Sequence, residues 1–281
     1  MPTSPADPLR MPAEWAEHEL TLIAWPQREE AWRDTTIEAA RDTHAAVIAA
    51  VSEFEPVLVI ADPSQEADAR KRCPQSNVEV LPLPIDDSWL RDSGPIIVTG
   101  EDGDRAGVDF AFNAWGEAFS PYRNDAAISS RILDHLDIER FIEPMVLEGG
   151  SIAVDGEGLL VTTEQCLLNP NRNPDLDRHT IDAELCRALG VERVVWLEKG
   201  LVEDADTDGH VDNICAFLEP GRVLLQTVND RTDPNYEGSR ENVRRLEAAG
   251  IEVVEWELLP RITREDGEPV VVPYMNFYVA N

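Results

Sequence analysis

Alternation is what most constrains this chain. Short runs rich in Val, Ile and Leu are separated by stretches whose apolar residues recur at helical spacing. Strands are expected at Thr21–Trp25, Val57–Ile60, Val78–Leu81, Ile96–Thr99, Ser151–Val154, Leu159–Thr162, Arg193–Trp196, Ile214–Leu218, Arg222–Thr227 and Ile251–Glu257. Helices are expected at Glu29–Phe54, Ala126–Leu136, Leu176–Leu189 and Ser239–Ala249. In the first of these, Ile37, Ala40, His44, Val47, Ile48 and Val51 fall near one helix face. Gly190 and Gly250 follow the last periodic residues of their helices, where C-caps belong. Strands alternating with helices define the α/β class. Two strand pairs are close enough for tight connections: SIAVDGEGLLVTT turns at Asp155-Gly156 and Gly158, and NICAFLEPGRVLLQT turns at Pro220-Gly221. The sheets must therefore be mixed rather than purely parallel. Strand pair, helix and strand recur at a loose spacing of about 50–60 residues. No low-complexity linker interrupts the pattern, so residues 1–281 read as one domain with enough chain for a sizeable core.

Charge narrows the partners. The net charge is −31, with 55 Asp and Glu against 24 Lys and Arg. Nucleic acid is excluded on sign, because binding a phosphate backbone needs a basic face. Two readings of the acidity stay open. One is a solvated surface suited to high salt. The other is steering of a cationic substrate, which fades in strong salt as the Debye length falls to about 3 Å. No apolar run reaches the roughly 18 residues of a membrane span, so no membrane segment is expected. MPTSPADPLR lacks the apolar stretch of a secretory signal, which makes the cytoplasm the expected compartment. Cys73, Cys166, Cys186 and Cys215 are far apart with no C-x-x-C pair, and free thiols are expected.

Three segments could carry chemistry. The first is Asp86-Asp87-Ser88-Trp89-Leu90-Arg91-Asp92-Ser93-Gly94-Pro95, between two strands. Carboxylates beside a Trp face suit a flat cation, whose N–H donors the acids take while the ring stacks. A solvated acidic loop would look the same. The second is Glu148-Gly149-Gly150-Ser151, where paired glycines beside an acid allow close backbone approach to a ligand, or an ordinary bulge. The third runs from Asp204 to Asp212. Its D-x-D-x-D-G opening suggests a calcium loop, but the twelfth position is Cys215 instead of Glu and the flanks read as strands. The remaining histidines offer His210 no metal-ligand spacing. His210 and Asp212 lie two apart, which on an extended segment puts an acid/base group and a carboxylate on one face. No G-x-S-x-G, G-x-x-x-x-G-K or G-x-G-x-x-G occurs, which leaves serine hydrolysis and phosphate cradling without support.

Together these segments are far more specific than any one alone. MPAEWAEHELTLIAWP, DDSWLRDSGPI, EGGSIAVDGEGLLVTTEQCLLNPNRNP, GHVDNICAFLEPGRVLL and YMNFYVAN, in that order, resemble the agmatine deiminase family, which includes bacterial peptidyl-arginine deiminases. The likeness runs from about Met11 to Asn281. It implies a five-bladed pseudosymmetric α/β propeller of ββαβ modules, the last incomplete in this chain. It also implies hydrolysis of agmatine to N-carbamoylputrescine and ammonia through a covalent cysteine intermediate, with no cofactor and no metal. The alternatives are an arginine or peptidyl-arginine deiminase, or an inactive binder of guanidinium compounds. A homo-oligomer is compatible with the sequence.

By position the resemblance makes Asp92 and Asp212 guanidinium-binding acids, His210 the general acid/base, and Glu148 the support of that histidine; Trp89 would line the pocket. One departure is serious. The family's nucleophile lies in a Gly-rich segment ending His-Cys, and residues 1–281 contain no such segment. Cys215 is expected to face away from Asp212 on one strand, Cys166 to pack, and Cys73 and Cys186 to lie in polar or helical surroundings. Little or no turnover is therefore expected from this polypeptide alone.

Overall fold

The computed structural model describes residues 9–32, 35–100, 103–264, 267 and 269–281. Strand β1 (Thr21–Ala24) leads through helix α1 (Ile37–Val51) to β2 (Val57–Ala61), then through α2 (Glu66–Arg72) to β3 (Val78–Pro82). These form a parallel sheet in the order β1-β2-β3. After a one-turn helix α3 (Leu90–Ser93), three further sheets follow a shared plan. β4 (Ile96–Thr99) pairs antiparallel with β5 (Arg105–Ala111), and β5 pairs parallel with β6 (Glu139–Val146) across α4 (Ala114–Glu117) and α5 (Ile128–Leu136). β7 (Ile152–Val154), β8 (Leu159–Thr163) and β9 (Arg193–Leu197) repeat the plan across α6 (Glu164–Leu167) and α7 (Arg178–Leu189). β10 (Cys215–Glu219), β11 (Arg222–Thr227) and β12 (Glu252–Glu257) repeat it again across α8 (Tyr236–Ala248). A short pair, β13 (Ile262–Thr263) and β14 (Pro269–Val270), ends the ordered elements. The α/β class read from the sequence holds.

Local chemistry sets the element ends. The Thr36 side chain accepts from the Ala39 amide, and Asp177 accepts from Thr180, each satisfying a free N–H of a helix start. Gly190 and Gly250 adopt left-handed φ values of 65° and 79° after α7 and α8, as expected of C-caps. The expected helix Glu29–Phe54 is corrected: it starts at Ile37, where Thr36 caps it. Glu29–Ala31 is a separate 3-10 turn, and residues 33–34 lie outside the described residues. β5, β6 and α2 are elements the sequence pattern did not reveal. Gly107 inside β5 has a packing cause, because an added Cβ would lie 2.2 Å from Cδ2 of Leu133 on α5.

The sheets pack through successive apolar clusters. Val108, Phe141, Leu160 and Leu185 join the second sheet to the third. Val161, Leu197, Val223 and Leu246 join the third to the fourth. Each fully buried Leu or Ile contributes about 1.5–3 kcal/mol. The last residues return to the first sheet. The Asn281 amide donates to Glu55 (3.0 Å), the His18 amide donates to the Asn281 side chain (2.8 Å), and Tyr278 bonds to Glu55.

Candidate active site

Four loops at strand ends supply the site. α3 carries Asp92, whose side chain is 10% exposed. Two donors fix its carboxylate: the Gly150 amide on Oδ1 (2.9 Å) and the Trp115 indole N–H on Oδ2 (3.0 Å). Trp115 itself is held at φ 55°, a left-handed backbone that a bulky residue seldom adopts.

Glu148 follows β6 and is wholly buried. The glycines after it are required by contact. At Gly149 a Cβ would meet the Arg91 carbonyl oxygen at 2.1 Å. At Gly150 a Cβ would lie 2.6 Å from His210 Nδ1, 2.6 Å from Asp212 Oδ2 and 2.8 Å from Asp92 Oδ1. Gly150 is thus the floor on which three ionisable groups converge.

The Asp204–Asp212 loop is an internal scaffold. Buried Asp204 accepts from the amides of Thr207, Gly209 and His210 and from the Asn213 side chain. These bonds occupy the oxygens that a calcium reading would need. They also hold His210, which is 2% exposed. The expected extended segment through His210 and Asp212 is corrected: Val211–Asn213 is a 3-10 turn, and the strand begins at Cys215. The two side chains share a face because the turn packs on Gly150, not because of strand alternation. Asn276 donates to Asp212 (2.9 Å).

His210 lies between acids. Nδ1 is 3.8 Å from Asp92, and Nε2 is 3.7 Å from Glu148. Behind Glu148 stands Arg172, its side chain fully buried, donating Nε–H at 2.6 Å. Arg172 also bonds Asp208 (2.7 Å) and the Thr207 carbonyl (3.1 Å), which ties Glu148 to the His210 loop. Asn173 delivers this arginine by clamping the amide and carbonyl of Val146 at the end of β6, both at 2.9 Å.

Burial and charge oppose each other here. Burial favours neutral His210, but Asp92, Cys166 and Glu148 outweigh it and hold the imidazole well above its usual pKa. Burial would raise Glu148, yet His210 and Arg172 bring it below the ordinary carboxylate range. Asp92 goes up because burial exceeds the help from His210. Asp212 is pushed up to about 7, by burial first and by the neighbouring Asp92 charge against the relief from His210.

The structure brings Asp92, Glu148, His210 and Asp212 together. Trp89 is different: it is 46% exposed and stacks on Trp32 with ring centroids 6.0 Å apart. Cys215 is buried in the core of the fourth sheet, as its unsuitability required. Cys166 packs in the core as expected, and it is also a neighbour of the site, with Sγ 4.0 Å from Glu148 Oε2. Arg172, Trp115 and Asn276 were missed. EQCLLNPNRNP and YMNFYVAN stood out as segments, but nothing in their spacing said what they would touch.

A buried imidazole braced by Glu148, with Asp92 and Asp212 beside it over a glycine floor, can hold a planar cation and move protons beside it. A family model described as Porphyromonas-type peptidyl-arginine deiminase matches residues 10–281. The agmatine deiminase of Pseudomonas aeruginosa (strain LESB58) is 46% identical over 87% of this chain and 67% of its own length. The solved agmatine deiminase of Enterococcus faecalis superposes with a TM-score of 0.92 at 31% identity, covering 100% of this chain and 84% of that one. A Cys-to-Ser variant of the C. jejuni agmatine deiminase, solved with substrate bound, gives a TM-score of 0.88 at 29% identity, covering 97% and 80%. The chain belongs to the Porphyromonas-type peptidyl-arginine deiminase family, which is also that of the agmatine deiminases.

Proposed function

We propose that this protein deiminates agmatine, giving N-carbamoylputrescine and ammonia. The observation that carries the reading is the convergence of Asp92, Asp212 and His210 on Gly150. In this reading Asp92 and Asp212 grip the guanidinium by paired charge-assisted hydrogen bonds. A cysteine thiolate attacks the guanidinium carbon and forms a tetrahedral covalent adduct. His210 gives a proton to the departing ammonia, then takes one from water as the thiouronium is hydrolysed. Glu148, itself held by Arg172, keeps His210 oriented and favours its charged form. The four cysteines within residues 1–281 are assigned no such role: Cys73, Cys166 and Cys215 are buried with raised pKa values, and Cys186 lies on α7. The nucleophile belongs to the family's Gly-rich His-Cys segment.

The finer architecture is part of the same proposal. The four three-stranded sheets are successive modules of a five-bladed ring, in one deiminase domain. The shared antiparallel-then-parallel plan of three of them supports it. A cytoplasmic place in putrescine supply follows from the substrate; among the described residues no helix is long and apolar enough to cross a membrane.

Ammonia release and product formation are measured with agmatine, arginine and an arginine peptide, alongside calorimetry with agmatine and putrescine. Agmatine should bind in clear preference to putrescine, and Asp92→Ala should abolish both binding and any turnover. Equal binding of agmatine and putrescine, or turnover unchanged in Asp92→Ala, refutes the reading. Citrulline formation in the peptide in place of N-carbamoylputrescine moves it to peptidyl-arginine.

A further inference from the structure

Behind His210 lies a second arrangement that holding a guanidinium does not require. Cys166 Sγ, Glu148 Oε2 and His210 Nε2 point at a common volume, all within 4.8 Å of one another. Sγ lies 4.0 Å from Oε2, and Nε2 lies 3.7 Å from Oε2. Tetrahedral zinc with its usual bond lengths places such donor atoms about 3.3–3.6 Å apart. The two separations to Oε2 exceed these by a few tenths of an ångström, and the third lies within 4.8 Å. His210 Nε2 is buried, faces Glu148 Oε2 at 3.7 Å and makes no hydrogen bond of ordinary length, so a strong donor atom aims into this volume.

We propose that Glu148, Cys166 and His210 form a binding site for a borderline divalent transition-metal cation, with zinc(II) as its type. The donor set of one thiolate, one imidazole and one carboxylate selects such ions over magnesium or calcium, which prefer oxygen. The surroundings match an outer shell for a metal. Asp92 stands 3.8 Å from Nδ1 of His210, on the side where a carboxylate orients a metal-bound imidazole, and Arg172 occupies Oε1 of Glu148 while leaving Oε2 open. Charge also balances. Glu148 and the Cys166 thiolate cancel the ion, and Arg172 is offset by Asp208. Binding releases the thiol proton and the proton on Nε2 of His210, and no oxidant or reductant takes part.

The consequence is inhibitory. A metal on Nε2 removes the imidazole's proton traffic and fixes Glu148 elsewhere. That arm rests on the deiminase reading, whereas the binding arm does not.

Chelator-treated protein is titrated with zinc chloride against a chromophoric chelator, and one tight zinc per chain is expected. Cys166→Ala should weaken that binding at least 100-fold, and Cys215→Ala should leave it unchanged. Circular dichroism checks that each variant is folded. Cobalt(II) added to the unaltered protein gives a readout that needs no variant: a sulfur-to-cobalt charge-transfer band in the near ultraviolet. Zinc should also stop any ammonia release from agmatine, reversibly on chelation. A tight zinc that survives Cys166→Ala, a cobalt adduct without the thiolate band, or no zinc bound below millimolar concentration overturns the site. Ammonia release that continues with zinc bound would overturn the inhibitory consequence alone, and equal binding of agmatine and putrescine with zinc binding intact would overturn the deiminase reading alone.

Discussion

Gly150→Ala isolates how closely the site is packed. Gly150 does not occupy the left-handed region, so the added methyl costs no backbone strain. Its effect is steric. Ordinary contact begins near 3.4 Å, while the Cβ would stand 2.6, 2.6 and 2.8 Å from His210 Nδ1, Asp212 Oδ2 and Asp92 Oδ1. Each group must retreat by about 0.6–0.8 Å, and all three must do so at once. Asp92 cannot swing freely, because Gly150 and Trp115 donate to its two oxygens. Misplacement of about 1 Å in a preorganised site costs on the order of 100-fold in rate. Overpacking of this kind costs about 1–3 kcal/mol of stability. The expected result is a roughly 100-fold loss in agmatine affinity or in kcat/KM, with a fall in Tm of several degrees and an unchanged far-ultraviolet spectrum. Calorimetry and a thermal melt measure both. Agmatine binding within twofold of the unaltered protein would refute the claim that Gly150 is the floor of the cation site.

Arg172→Met should destabilise the protein by about 3–5 kcal/mol in urea melts at pH 7, because it strands the buried Glu148 carboxylate. Glu148 is depressed in the folded state, so its stabilisation is present above its unfolded value and lost as pH falls through the folded one; the deficit of the variant should shrink toward pH 4. Asp212 has the opposite sign. Its folded pKa of about 7 lies above the ordinary 3.8, so its ionisation lowers stability as pH rises between those values, and Asp212→Asn should melt higher than the parent above pH 7 but not near pH 4. Cation capture needs that same charge, so agmatine affinity in the parent should climb up to tenfold per pH unit below about 7 and level off above it, as read by calorimetry across pH 5–9. Gly238→Ala, in the first turn of α8 where an added Cβ meets only Lys199 Cβ at 4.0 Å, should raise stability by up to about 1 kcal/mol in the same melts.

Much of the fold was legible as local pattern. The β7–β8 and β10–β11 pairs follow from Asp155-Gly156 and Pro220-Gly221, since turn geometry is set by the residues in the turn. Helices α7 and α8 follow from apolar spacing and their terminal glycines. β5 and β6 were not legible. Arg105–Ala111 carries Gly107, present because Leu133 lies against it, and Glu139–Val146 mixes charge and a proline with its apolar residues. Those residues answer to tertiary neighbours, and local propensity is overridden.

The site divides the same way. The sequence determined which residues could bind a flat cation or move a proton, because Asp92, Glu148, His210 and Asp212 are chemically suited and sit in distinctive segments. The strand face expected to align His210 with Asp212 does not exist; a 3-10 turn packed on Gly150 aligns them instead. Only the tertiary structure set Trp115 on Asp92, Arg172 on Glu148, Asn276 on Asp212, and Cys166 beside the imidazole. These partners are 23 to 64 residues apart along the chain. No local periodicity can encode such meetings, because packing of the sheets decides which strand ends share a volume.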